Sequence, residues 1–108
     1  MARARPWRRA DTVAVIAVVA LAALVRLPRL SDPQSLVFDE TYYAKDACIY
    51  VHGPAALCGI DSEQTQVHPP LGKWLIAAGI RVFGYNALGW RAAPALAGLV
   101  TVALLYVL

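Results

Sequence analysis

The chain has 108 residues, short for an enzyme and long enough for one small domain. With 59% hydrophobic and 16% charged residues, and a mean hydropathy of +0.53, it has the composition of a membrane protein. The net charge of +3 is concentrated in a head carrying Arg3, Arg5, Arg8 and Arg9. That head abuts an apolar run, which excludes nucleic acid as its partner and makes it a cytoplasmic anchor under the positive-inside rule.

Residues 1–11 are this basic head, and residues 12–30 form a first transmembrane helix. Its uninterrupted apolar core, Thr12 to Val25, is shorter than the ~20 residues that cross the hydrocarbon. Arg26 makes up the difference by snorkelling, with its stem in lipid and its guanidinium among headgroups. Pro28 stops the helix within a turn. A cleaved signal peptide is the competing reading, but the Ala20-Leu21-Ala22 site lies inside the apolar run rather than after it. Nothing after Arg8-Arg9 completes a twin-arginine signal.

Residues 31–87 then form an extracytoplasmic loop. Ser31-Asp32-Pro33-Gln34 is turn chemistry. The stretch Val37-Phe38-Asp39-Glu40-Thr41-Tyr42-Tyr43-Ala44-Lys45 puts two adjacent carboxylates directly after the membrane segment. Charge so close to a bilayer is costly and usually functional. The same pair also fits a helix start, with Asp39 capping the next turn and Glu40 where the helix dipole favours an anion. A short helix is expected from Asp39 to about Val51, stopped by Gly53-Pro54. Cys48 and Cys58 are the only cysteines, and on an oxidising side of the membrane they are expected to pair. Closing that loop would contribute about 2–3 kcal/mol. Two unpaired buried thiols are the alternative. No His or Cys spacing supports a metal site.

Val67-His68-Pro69-Pro70-Leu71-Gly72-Lys73 is a second polar knot, and the simplest reading of its prolines is a stiff helix entry. Residues 71–83 place Leu71, Trp74, Leu75, Ala78 and Val82 on one helical face and Lys73, Ala77 and Arg81 on a polar strip. The segment is too short and too charged to span comfortably, so it is expected to lie along the interface. A third crossing there is the alternative, because it would place Arg81 and Arg91 inside. Gly84-Tyr85-Asn86 breaks the segment. Residues 88–108 form a second transmembrane helix with one charge, Arg91, near its start. The expected fold class is therefore an all-α membrane protein: two transmembrane helices joined by an extracytoplasmic loop with short interfacial helices.

Phe38-Asp39-Glu40 with Tyr42-Tyr43-Ala44-Lys45, then His68-Pro69-Pro70-Leu71-Gly72-Lys73, then Arg91, resembles the N-terminal part of the protein O-mannosyltransferases of actinobacterial type. The Asp-Glu pair alone is weak, the His-Pro-Pro-Leu-Gly-Lys run is more specific, and the ordered set is strong. These are multi-spanning enzymes of the GT-C architecture, with many more spans than two, so the chain resembles a fragment, expected to be inactive alone. The resemblance implies a plasma-membrane protein whose N-terminus is cytoplasmic and whose active-site loop is extracytoplasmic. It implies inverting transfer of mannose from polyprenyl-phosphate-mannose to Ser/Thr hydroxyls of exported proteins.

In that chemistry the attacking hydroxyl needs a base, which the family assigns to the aspartate matching Asp39, with Glu40 positioning it or holding the acceptor. The leaving phosphate is already a stable anion and needs cations rather than a general acid. Arg91 is the first candidate, supported by His68 and Lys73, although a snorkelling anchor is the plainer reading of Arg91. Cofactors are not fixed by the resemblance, and a divalent cation stays open. Two other function classes remain: a related GT-C glycosyltransferase acting on a lipid or cell-wall glycan, and a non-catalytic two-span membrane protein.

Overall fold

The computed structural model describes residues 5–52, 58 and 68–108, which hold four α-helices: α1 (Arg9–Arg26), α2 (Glu40–His52), α3 (Pro70–Phe83) and α4 (Ala87–Val107). The expected helices over 39–51, 71–83 and 88–108 lie within two residues of α2, α3 and α4. Arg3 and the Gly53-Pro54 stop fall outside the described residues.

α1 begins where the Arg8 N–H donates to Asp11 Oδ2 at 2.8 Å, satisfying one donor of the helix start. It ends ahead of Pro28, and Arg29 turns the chain through a left-handed conformation at φ 61°. α1 runs antiparallel to α4. The Tyr106 hydroxyl donates to Asp11 Oδ1 at 3.2 Å, and Trp7 meets the Tyr106 ring edge-on at 6.2 Å. At the other end of α1 the Arg26 side chain lies across Gly98 of α4, filling the space a Cβ would take.

Among the described residues one helix, α4, is long and apolar enough to cross a membrane. Its 21 residues extend ~32 Å, which matches a hydrocarbon core of ~30 Å. α1 carries Arg9, Asp11 and Arg26 within 18 residues, so only its middle is free of charge.

α3 and α4 form a hairpin through Gly84-Tyr85-Asn86. Gly84 sits at φ 88°, which only glycine adopts without strain. Asn86 serves both helices: its Nδ2 donates to Phe83 O at 2.7 Å, and its Oδ1 caps α4 by accepting from Gly89 N at 2.9 Å. The two helices touch through glycine, since a Cβ on Gly79 would strike the Gly89 carbonyl.

α2 lies on α3 through small residues. Ala44 and Ala47 pack against Ile76, Ala77, Ile80, Ala87 and Trp90. Small side chains permit close backbone approach but remove little apolar area from water. α2 therefore depends on polar and covalent ties. Asp46 pairs with Lys73 at 2.7 Å with both side chains buried, and a disulfide joins Cys48 to Cys58.

The orientation of α3 differs from the amphipathic reading. Lys73 and Ala77, assigned to a polar strip facing away from the apolar surface, point inward with Ile76 and Ile80. Leu71, Trp74, Leu75 and Val82 are the exposed face. The inward face is set by fit to the small residues of α2 and α4 and by the ion pair, not by hydrophobicity. The outward apolar face has the character of a surface that meets lipid or further protein.

Candidate active site

The site is built where the start of α2 meets the start of α4. Tyr42 N and Tyr43 N bond the Asp39 carbonyl, closing the first turn of α2. Glu40, in that first turn, reaches back so that Oε2 accepts from Val37 N at 3.0 Å. Glu40, rather than Asp39, thus ties the turn. Among the described residues the Asp39 carboxylate has no hydrogen bond or ion pair, and it is exposed.

Glu40 is fixed a second time, by Arg91. Nε donates to Oε1 at 2.7 Å and Nη2 to Oε2 at 3.0 Å, the bidentate geometry that makes Arg–carboxylate pairs strong and directional. The remaining Arg91 donors meet backbone carbonyls: Nη1 bonds Leu30 O at 3.0 Å and Pro33 O at 2.8 Å, and Nη2 bonds Ser35 O at 3.2 Å. A guanidinium has five N–H groups, and these five contacts engage all of them. The Arg91 bonds hold the Glu40 carboxyl below its usual range; its burial opposes this, and the Val37 N–H and the nearby Trp90 indole add to the lowering. The Trp90 Nε1–H itself is buried and closes no hydrogen bond among the described residues.

A cavity of about 420 Å³ opens beside these groups. Asp39, Glu40 and Arg91 form its polar end, and Tyr43, Leu75, Ile76, Trp90, Pro94 and Ala97 line its apolar remainder. Pro94 sits inside α4 and leaves the Trp90 carbonyl without its helical donor. The volume falls in the range of small-molecule sites, and apolar walls with a few convergent polar groups are their usual make-up.

The expected residues separate into three groups. Asp39, Glu40 and Arg91 share one cavity. His68 stands one side chain away, with its ring stacked 4.5 Å from that of Tyr43 and its Nδ1 buried without a partner among the described residues. Lys73, expected at a phosphate, is not on this cavity: its side chain is 3% exposed and its Nζ is held by Asp46. The correction has a physical cause, because a buried ammonium must be paired where it sits and cannot also serve a ligand outside. Asp46 was missed by reading the sequence alone. Its signal was the small-residue run Ala44-Lys45-Asp46-Ala47-Cys48, which marks a closely packed face with a carboxylate set in it. Among the described residues no three His, Cys, Asp or Glu side chains cluster as metal ligands.

Residues 16–94 match the dolichyl-phosphate-mannose-protein mannosyltransferase family. Relatives named polyprenol-phosphate-mannose–protein mannosyltransferase include one from Mycobacterium tuberculosis, 46% identical over 77 residues, covering 69% of this chain and 14% of the relative. One from Mycolicibacterium smegmatis is 39% identical over 105 residues, covering 94% of this chain and 19% of the relative. One from Corynebacterium glutamicum is 42% identical over 71 residues, covering 61% and 14%. No solved structure matches. The chain spans less than a fifth of the length of these relatives. It belongs to the dolichyl-phosphate-mannose-protein mannosyltransferase family.

Proposed function

We propose that this chain supplies the base and part of the donor site of an inverting mannosyltransferase that acts on exported proteins at the plasma membrane. α1 and α4 are its first two spans, the N-terminus is cytoplasmic, and residues 31–87 lie outside with α3 along the interface. The observation that carries the reading is a carboxylate with no partner among the described residues, Asp39, at the polar rim of an otherwise apolar cavity.

The donor is polyprenyl-phosphate-mannose and the acceptor a Ser or Thr hydroxyl. The hydroxyl oxygen attacks the anomeric carbon, the bond from that carbon to the phosphate oxygen breaks, and the hydroxyl proton passes to Asp39. Polyprenyl phosphate leaves as a stable anion. A base must be uncommitted, as Asp39 is among the described residues, whereas Glu40 is fully engaged and acts by holding the turn that carries Asp39. Arg91 meets the leaving phosphate at the cavity rim by exchanging its longest contact, Nη2 to Ser35 O, for a phosphate oxygen. His68 backs the site through Tyr43. Lys73 is assigned no part in binding.

The test uses the full-length protein in membranes, given radiolabelled polyprenyl-phosphate-mannose with either a Ser/Thr-rich peptide or a glycolipid acceptor. Label is expected on the peptide. Label on the glycolipid alone would assign the protein to a glycan-building branch, and no transfer to either would leave a non-catalytic membrane protein.

A further inference from the structure

The residue before the candidate base is in a conformation its chemistry opposes. Phe38 sits at φ 54°, the left-handed region, where bulky side chains are outliers because Cβ crowds the carbonyl. Such strain persists only where the surroundings over-determine it. Here bonds on both sides pin the residue: Val37 N donates to Glu40 Oε2 at 3.0 Å, and Thr41 N to Phe38 O at 3.1 Å. Packing does not account for the ring, because Phe38 is 92% exposed among the described residues. Glycine or asparagine would fit the turn better than phenylalanine. A strained, exposed phenyl beside the base is therefore a feature that packing among the described residues does not explain.

Its position says which reactant it serves. Asp39 and Glu40 line the cavity, and Phe38, directly before them in the chain, is exposed and outside that lining. In an inverting displacement the acceptor approaches the anomeric carbon from the face opposite the leaving group. The acceptor hydroxyl must reach Asp39, and Phe38 is the immediate chain neighbour of Asp39 and is exposed beside it. Aromatic rings give large contact area at low conformational cost, which suits an extended polypeptide.

We propose that Phe38 is an acceptor-binding residue, whose ring is the platform on which the polypeptide lies as its Ser or Thr hydroxyl reaches Asp39. This rests on the transferase reading above and adds a determinant of acceptor affinity to it.

The test compares full-length wild type with Phe38→Gly, Phe38→Asn and Phe38→Tyr in nanodiscs, varying Ser/Thr peptide and polyprenyl-phosphate-mannose separately. Gly and Asn accept the left-handed turn without the ring, and Tyr restores the ring. The acceptor KM is expected to rise about ten- to hundred-fold in the Gly and Asn variants, the contact area of one buried phenyl. Saturated kcat and donor KM are expected to stay within about threefold, and Phe38→Tyr to recover the acceptor KM. The Gly and Asn variants are expected to melt no lower than wild type, since the strain is relieved. An unchanged acceptor KM would overturn the proposal. So would a rise in donor KM alone, which would give the ring to the lipid. A lowered melting temperature in both ring-less variants would show that the ring is packed within the protein, and would also overturn it. Absence of transfer by the wild type is a separate result, which would remove the transferase reading itself.

Discussion

Among the described residues two ion pairs hold α2, and they differ in their access to water. At its start Glu40 meets Arg91 with side chains 27% and 13% exposed, beside the cavity. Further along, Asp46 meets Lys73 at the same 2.7 Å with side chains 2% and 3% exposed, inside the packing of α2 on α3. Equal distances hide unequal roles. A pair at a wet rim can exchange a partner for a ligand at modest cost, because water stabilises whatever is released. A buried pair cannot, because either charge alone would be stranded in a medium that solvates it poorly. Arg91 therefore stays a candidate for the donor phosphate, whereas Lys73 is a strut.

The largest expected effect comes from breaking the buried pair. Lys73→Ala or Asp46→Ala strands one charge and should destabilise the full-length protein by about 3–5 kcal/mol, read as a large fall in melting temperature in detergent. The paired change Asp46→Leu with Lys73→Met should recover part of that loss, since neither member of the pair is then left without the other. If the single variants melt like wild type, the strut is not one.

Arg91→Ala comes next. It removes the bidentate bond to Glu40 and the clamp on the 30–35 segment, for a loss of about 2 kcal/mol in stability, together with weaker donor binding and slower transfer. A variant that loses stability with unchanged donor KM would limit Arg91 to the clamp.

A smaller effect separates the pairs by pH. The Glu40 carboxyl titrates below its ordinary 4.5, so its pairing contributes fully above that pH. The contribution is lost as pH falls from 4.5 through the lowered value. Melting temperature should fall over that window in wild type, and Glu40→Gln should remove that part of the slope. An identical slope in Glu40→Gln would assign the acid sensitivity to other carboxyls. Smallest is Asn86→Ala, which removes a helix cap and the tie to Phe83 and should cost about 1 kcal/mol.

The contrast also marks what the sequence could carry. The limits of α3 and α4 were legible because Pro70, Gly84 and Asn86 punctuate the chain by local chemistry, whereas the first helix, expected over 12–30, runs from Arg9 to Arg26 and stops ahead of Pro28. The carboxylates and Arg91 were legible as a motif, and their meeting in one cavity follows from the α3–α4 hairpin that brings position 91 back over α2. The facing of α3 was not legible. Periodicity shows that Leu71, Trp74 and Leu75 share a side, but not whether that side meets the rest of the chain or its surroundings. The place of Lys73 was lost with it, because its partner Asp46 comes from another helix and only packing joins them.

The central claim is that Asp39, held at the rim with no partner among the described residues, is the base. Asp39→Asn keeps size and the ability to start a helix while removing the proton acceptor. In the full-length protein, mannosyl transfer to a Ser/Thr peptide should drop by ~10²–10⁴-fold, with melting temperature and donor affinity unchanged. Transfer at a near-wild-type rate by Asp39→Asn would contradict the account, since the proton would then pass to another group.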